Sequence, residues 1–250
     1  MPPLAAAQRR PRRTVARALA VLATAAASLA DASSEPWPEI PSPPKSRVEW
    51  LADSMRVNGV PMRVMHFDSS RDRSTIVEYY RAYWSGYPTK PSVRNAPSET
   101  VMGQAHGPYF MTVEVKDAAN GGSAGVIAVS RPIGAKIDRS PGELPLMPGA
   151  KVLQVVESND PGRSDREMLV KNPVPLSSVV HYYQAALPDA GWRSVQYSDV
   201  ERKGARRPGA FLVYRREHSE LELSAVASAD GRSSTLLANL VTKDTGPHRF

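Results

Sequence analysis

Ile76-Val77-Glu78-Tyr79-Tyr80-Arg81-Ala82 and Val179-Val180-His181-Tyr182-Tyr183-Gln184-Ala185 decide how this chain is read, because they carry one pattern twice. Each opens on two apolar residues and continues to a Tyr pair, a spacing that puts an apolar stripe along one face of a helix. The match extends outward. Pro44-Lys45-Ser46-Arg47-Val48 lines up with Pro148-Gly149-Ala150-Lys151-Val152, and Gly86-Tyr87 with Gly191-Trp192. Such a repeat predicts two copies of one small domain.

In the first copy, 47–52 and 60–67 read as strands around the hairpin signal Asn58-Gly59. Ser74 is the expected N-cap of a helix through Trp84, with Ile76, Val77, Tyr80, Tyr83 and Trp84 on its stripe; Gly86 and Pro88 stop it. Residues 85–100 are polar and Pro-rich, so strand signal there is weak. Strands follow at 101–104, 109–115 and 125–130, the last after the turn Asn120-Gly121-Gly122. In the second copy, strands are expected at 152–157 and 167–171. A helix capped by Ser177 or Ser178 follows, with Val179, Val180, Tyr183 and Leu187 facing the core. Further strands are expected at 193–200, 211–215, 221–227 and 235–242. The fold class expected is α+β: two tandem β-β-α-β-β-β modules, each with one helix packed on an antiparallel sheet. The modules are expected at 47–131 and 148–243, with a Pro- and Gly-containing linker at 132–147 and a tail at 244–250.

Residues 1–30 read as a separate object. Arg9, Arg10, Arg12 and Arg13 precede a short, Ala-rich apolar run, and Ser28-Leu29-Ala30 supplies the small residues of a cleavage site. This is the pattern of a secretory signal peptide cut after Ala30, with an uncleaved N-terminal anchor as the alternative. Residues 31–46 hold five Pro and read as an extended leader, with Trp37 docked on the nearer domain. The whole chain is +7. Residues 1–30 contain five Arg and no Lys, Asp or Glu, so the remainder carries +2. The high pI therefore belongs largely to the targeting segment, and nucleic acid is not an expected partner. With no Cys, the chain has neither disulfides nor the acylated Cys of a lipoprotein. The expected location is the periplasm or beyond.

Three groups of residues are site candidates. Tyr79, Tyr83 and Tyr87 make the first helix unusually aromatic, and rings at a helix edge suit glycan or protein contact. Packing is the simpler account of Tyr80 and Trp84. Arg202, Lys203, Arg206 and Arg207, with Arg215 and Arg216, form the densest basic stretch. A solvated hairpin explains it; the sharper reading is a contact for anionic lipid, glycan or an acidic protein surface. Gly121-Gly122-Ser123-Ala124-Gly125 matches the G-x-S-x-G elbow of serine hydrolases, but strand-like flanks on both sides read as a hairpin tip. The five His lack ligand spacing, so no metal or cofactor is expected.

Pro148-Gly149-Ala150 before a first strand, Tyr182-Tyr183, and Leu187 through Trp192 together resemble uncharacterised α+β modules of exported proteobacterial proteins. Their layout is similar to the helix-grip domains of outer-membrane assembly lipoproteins. The first copy departs from it, with Pro44-Lys45-Ser46 and no Trp after its helix glycine. The resemblance brings no catalytic residues. The function expected is therefore binding: an envelope protein that serves a secretion or surface-assembly system through a protein partner. A carrier of an apolar small ligand or lipid, and a hydrolase using Ser123, are the alternatives.

Overall fold

The apolar stripe that opened the sequence reading is seated as a helix, α1 (Arg73–Tyr83), with Ile76, Val77 and Tyr80 buried. The computed structural model describes residues 36–119, 121–160, 162–200 and 208–243, excepting the side chains of Asp53 and Val200. The N-cap of α1 is Asp72 rather than Ser74. Its carboxylate accepts the Thr75 N–H at 2.9 Å and the Ser74 hydroxyl at 2.5 Å. A carboxylate at the N-cap satisfies an orphan backbone donor and opposes the positive end of the helix. A single 3-10 turn, Trp84–Gly86, ends the helix and buries Trp84 completely. The second helix, α2 (Leu176–Asp189), starts after Pro175 with no side-chain cap, so neither Ser177 nor Ser178 plays that part. Val179, Val180, Tyr183 and Leu187 are its buried face.

Strands outweigh these helices, and this corrects the expected α+β class. Among the described residues there are twelve: β1 (Ser46–Val57), β2 (Val60–Ser69), β3 (Ser92–Ala96), β4 (Glu99–His106), β5 (Tyr109–Asp117), β6 (Ser123–Ser130), β7 (Lys151–Asp160), β8 (Arg163–Asn172), β9 (Arg193–Val200), β10 (Gly209–Arg216), β11 (Ser219–Ala227) and β12 (Ser234–Lys243). Hydrogen bonding orders them β3-β4-β5-β6-β2-β1-β7-β8-β12-β11-β10-β9, a single 12-stranded sheet. Among the described residues the protein is mostly antiparallel β-sheet with two α-helices added, not a pair of α+β modules. Two features overturn the modular expectation. β3 arises from polar Ser92–Ala96, where only short edge pairing with β4 is required. β1 runs on to Val57, far past the six residues expected of it.

The chain divides into two compact units. Of the described residues, one unit holds those up to Glu49 together with Met65–Gly134, and the other holds Trp50–Val64 and those from Ala135 on. The second unit thus owns the tip of the β1–β2 hairpin. There Met55, Arg56 and Val57 pair with Ser158, Glu157 and Val156 of β7. Asn58 and Gly59 are both left-handed (φ 51° and 81°), as a two-residue hairpin turn requires. Asn58 also donates its N–H to the Val155 carbonyl at 2.7 Å and accepts the Val155 N–H on its side chain at 2.9 Å.

In the first unit the core gathers Phe67, Ile76, Tyr80, Trp84, Met102, Met111, Val113, Val115 and Ile127 between α1 and the strands. Each such side chain contributes roughly 1.5–3 kcal/mol by leaving water. In the second, Met168, Val170, Tyr183, Leu187, Leu212, Tyr214, Leu223 and Leu236 do the same beneath α2.

Each unit also has a strap over its helix. In the first, Ile40 is only 6% exposed and belongs to the core, so the second half of the expected leader is packed. The Trp37 ring lies 5.1 Å from Tyr109. In the second, Leu144 is 5% exposed within the segment expected to be an irregular connector. The two straps share a sequence pattern: Glu39-Ile40-Pro41-Ser42-Pro43-Pro44 against Glu143-Leu144-Pro145-Leu146-Met147-Pro148. Both are followed by a left-handed residue, Lys45 (φ 53°) and Gly149 (φ 77°).

Candidate functional site: a surface aromatic cluster

Tyr83 leaves the helix stripe. It sits on the last turn of α1, 37% exposed, and its hydroxyl donates to the Glu39 carbonyl at 3.2 Å. The 3-10 turn then brings the chain round so that the Tyr87 ring lies 6.1 Å from Tyr83. On its other side Tyr87 meets His106 at 5.2 Å, edge to face. Spacings of this size suit favourable aromatic pairs. His106 ends β4 opposite Tyr109, whose own ring meets Trp37.

A buried amide holds this arrangement. Gln104 is 1% exposed, and its Nε2 donates to the Thr89 hydroxyl and the Ala105 carbonyl, each at 2.9 Å. That ties the segment following Tyr87 to β4, two residues from His106. Neither Gln104 nor His106 was singled out in sequence, because their value depends on pairing distant segments. Partial burial, then a hydrogen bond with Tyr87, push the Tyr83 hydroxyl up to a pKa of about 12. It therefore stays neutral and keeps its donor proton across physiological pH.

Of the three tyrosines expected, the structure brings Tyr83 and Tyr87 together. Tyr79 goes elsewhere: it is half-buried against the core, with its ring 5.1 Å from Tyr80. Arg202, Lys203, Arg206 and Arg207 lie outside the described residues. The two described members of that basic stretch are engaged. Arg215 pairs with Glu220 at 2.7 Å, and Arg216 pairs with Glu143 and covers the Trp192 ring at 4.5 Å.

Ser123 opens β6 at 1% exposure, and its hydroxyl is buried with no hydrogen-bond partner. Gly122 is pressed against the Ser69 carbonyl, where an added Cβ would stand 2.2 Å from the oxygen. The glycines thus serve a tight strand turn, and no helix follows the serine as a nucleophile elbow needs. Among the described residues no three His, Asp or Glu side chains gather as a metal site.

The second unit contains a cavity of about 460 Å³. Arg56, Glu157, Asp165 and Arg166 line it, with Ser164 and Thr242 beside them. Most of that charge is spent internally. Arg166 pairs with Glu157 and donates to the Ser140 carbonyl at 2.6 Å, and Asp165 pairs with Arg163 at 2.7 Å. A lining of this kind suits polar rather than apolar contents. The space between α2 and its sheet is filled by core side chains. No helix among the described residues is long and apolar enough to cross a membrane.

No protein-family model and no curated protein matches this chain. Two solved structures are distantly similar. The immunity protein TplEi of the Pseudomonas aeruginosa T6SS, complexed with an "L" peptide, is 11% identical at a TM-score of 0.25, over 82% of this chain and 84% of that one. A conserved protein of unknown function with a hot dog fold from Alicyclobacillus acidocaldarius is 10% identical at a TM-score of 0.18, over 78% and 97%. Likenesses of this strength carry no argument about fold or function.

Proposed function

We propose that this chain is an exported protein that acts in the cell envelope by binding a protein partner, as an accessory of secretion or surface assembly. The Tyr83–Tyr87–His106 cluster, with Tyr83 and His106 exposed and Tyr87 half-buried between them, carries the reading. Aromatic side chains with a polar tip give large contact area at low entropic cost, and they dominate the energetics of many interfaces. The N-terminal pattern of residues 1–30 supports export. The buried, unpartnered Ser123 hydroxyl gives no support to the hydrolase alternative, and the polar cavity gives none to an apolar-ligand carrier.

The test is affinity capture from envelope extract with the wild-type chain and with a Tyr83→Ala/Tyr87→Ala variant. Truncating two hot-spot residues is expected to weaken capture by roughly thirty-fold or more. Equal capture by both proteins rejects the cluster as the contact surface. Retention on purified cell-wall glycan instead of a protein changes the partner class.

A further inference from the structure

The strap of the first unit behaves as a bound ligand that happens to be covalently attached. Its recognition has two parts: an aliphatic side chain sunk in the core, and a backbone carbonyl held by a helix tyrosine. Ile40 is the buried knob, and Tyr80 donates to the Pro41 carbonyl at 2.8 Å. The second unit also buries its anchor, Leu144, but the bond comes from the other tyrosine of the pair, Tyr182, and goes two residues past the anchor rather than one, to the Leu146 carbonyl at 2.9 Å. One chain thus buries the aliphatic anchor of a Glu–aliphatic–Pro–x–x–Pro segment twice and bonds each segment's backbone through a helix tyrosine, at positions shifted by one residue.

The two straps differ at their hinges. In the second unit the hinge is Gly149, for which a φ of 77° costs little. Both straps are also fastened upstream of the anchor: Arg166 donates to the Ser140 carbonyl at 2.6 Å in the second unit, and Tyr83 to the Glu39 carbonyl at 3.2 Å in the first. In the first unit the hinge is Lys45 at φ 53°, a conformation that crowds a residue with a Cβ. A strained hinge favours exchange between copies, because the exchanged form keeps the strap's contacts with the helix and gives up, along with the strain, the 2.6 Å bond of the Ser46 hydroxyl to the Pro43 carbonyl across the hinge. The prolines at 38, 41, 43 and 44 hold the segment extended, so little further order is lost when it docks on another molecule.

We propose that Trp37–Pro44 exchanges between two copies of this chain, each strap docking on the Tyr80 groove of the other. The groove is then a binding site for an extended, proline-rich peptide with a buried aliphatic anchor. The strap touches the aromatic cluster, since the Tyr83 hydroxyl donates to the Glu39 carbonyl at 3.2 Å; light scattering reads the exchange and affinity capture reads the cluster, so the two readings fail separately.

Light scattering on the purified chain across a concentration series tests it. A dimer is expected whose share rises with concentration. An excess of a synthetic peptide spanning residues 36–44 is expected to convert it to monomer, while a scrambled peptide leaves it intact. Lys45→Gly is expected to lower the dimer association constant by roughly twenty-five-fold, about fivefold for each of two hinges. Ile40→Asp is expected to abolish the dimer; the peptide competition on the wild-type chain stands even if that variant folds poorly. A chain that stays monomeric at every concentration overturns the proposal. So does a dimer indifferent to the peptide, which another surface must hold, or one unchanged by Lys45→Gly.

Discussion

The Tyr80 hydroxyl donates a 2.8 Å hydrogen bond to the carbonyl of Pro41, joining the buried face of the first helix to the strap across it. Burial, and to a smaller extent Tyr79 and Tyr83, push its pKa far above the ordinary tyrosine value, so it remains a donor. Its counterpart in the repeat, Tyr183, is equally buried, yet its hydroxyl has no partner. The second unit gives the strap bond to the preceding residue, Tyr182.

That swap of roles separates two otherwise identical substitutions. Tyr80→Phe removes a made hydrogen bond and is expected to cost about 1–2 kcal/mol in urea unfolding. Tyr183→Phe removes a buried hydroxyl that bonds to nothing, and it is expected to leave stability within about 0.5 kcal/mol of wild type or to raise it. Equal losses at both positions contradict the assignment of the strap bonds.

Asp72 makes the first helix sensitive to acid. Acceptance from the Ser74 hydroxyl, then from the Thr75 backbone and side chain, lowers its pKa from 3.8 to about 2. A carboxyl whose folded pKa is depressed stabilises above its unfolded value and loses that contribution as pH falls through the folded one. Asp72→Ala is therefore expected to melt earlier than wild type at neutral pH. The gap is expected to close between about pH 4 and pH 2. A gap that persists unchanged at pH 2 means the carboxylate is not the cap.

Glu167 has the opposite sign. It sits on β8, in register with Val156 and Asn239, and burial raises its pKa. The folded state then prefers the protonated form, so stability falls as pH rises above the unfolded carboxylate value. Glu167→Gln is expected to be more stable than wild type at neutral pH. The advantage disappears in acid below the unfolded pKa. Thermal melts of both proteins over that range measure it.

Gly59 carries the hairpin tip in the second unit. Its φ is 81°, and a Cβ there would stand 2.4 Å from the Lys136 carbonyl oxygen. Gly59→Ala is expected to destabilise by more than about 2 kcal/mol, since left-handed strain adds to a clash with backbone. A loss below that in urea unfolding shows that the tip has room to shift.

Local features of this chain were legible; nonlocal ones were not. The helix faces followed from the spacing of Ile76, Val77 and Tyr80 and of Val179, Val180, Tyr183 and Leu187. Asn58-Gly59 marked its turn because both residues tolerate left-handed backbone. The pairing of Met55–Val57 with Val156–Ser158 had no local signature, and it carries the strand order past the β1–β2 hairpin. β3 escaped notice because an exposed edge strand needs no apolar alternation; in Ser92–Ala96 only Val93 packs against the core. The straps were hidden by their prolines, which read as linker composition although Ile40 and Leu144 are buried. Tyr83 and Tyr87 were named from the helix alone. His106 joined them only through the pairing of β4 with the strands beside it.

The central claim is that the Tyr83–Tyr87–His106 cluster is a contact surface, and chemical cross-linking in envelope extract tests it most directly. Wild type and the Tyr83→Ala/Tyr87→Ala variant are compared side by side, with melting temperature as the control for folding. The account predicts a defined cross-linked product from wild type that is lost in a variant whose melting temperature is near normal. The same product at the same yield from both proteins would contradict it.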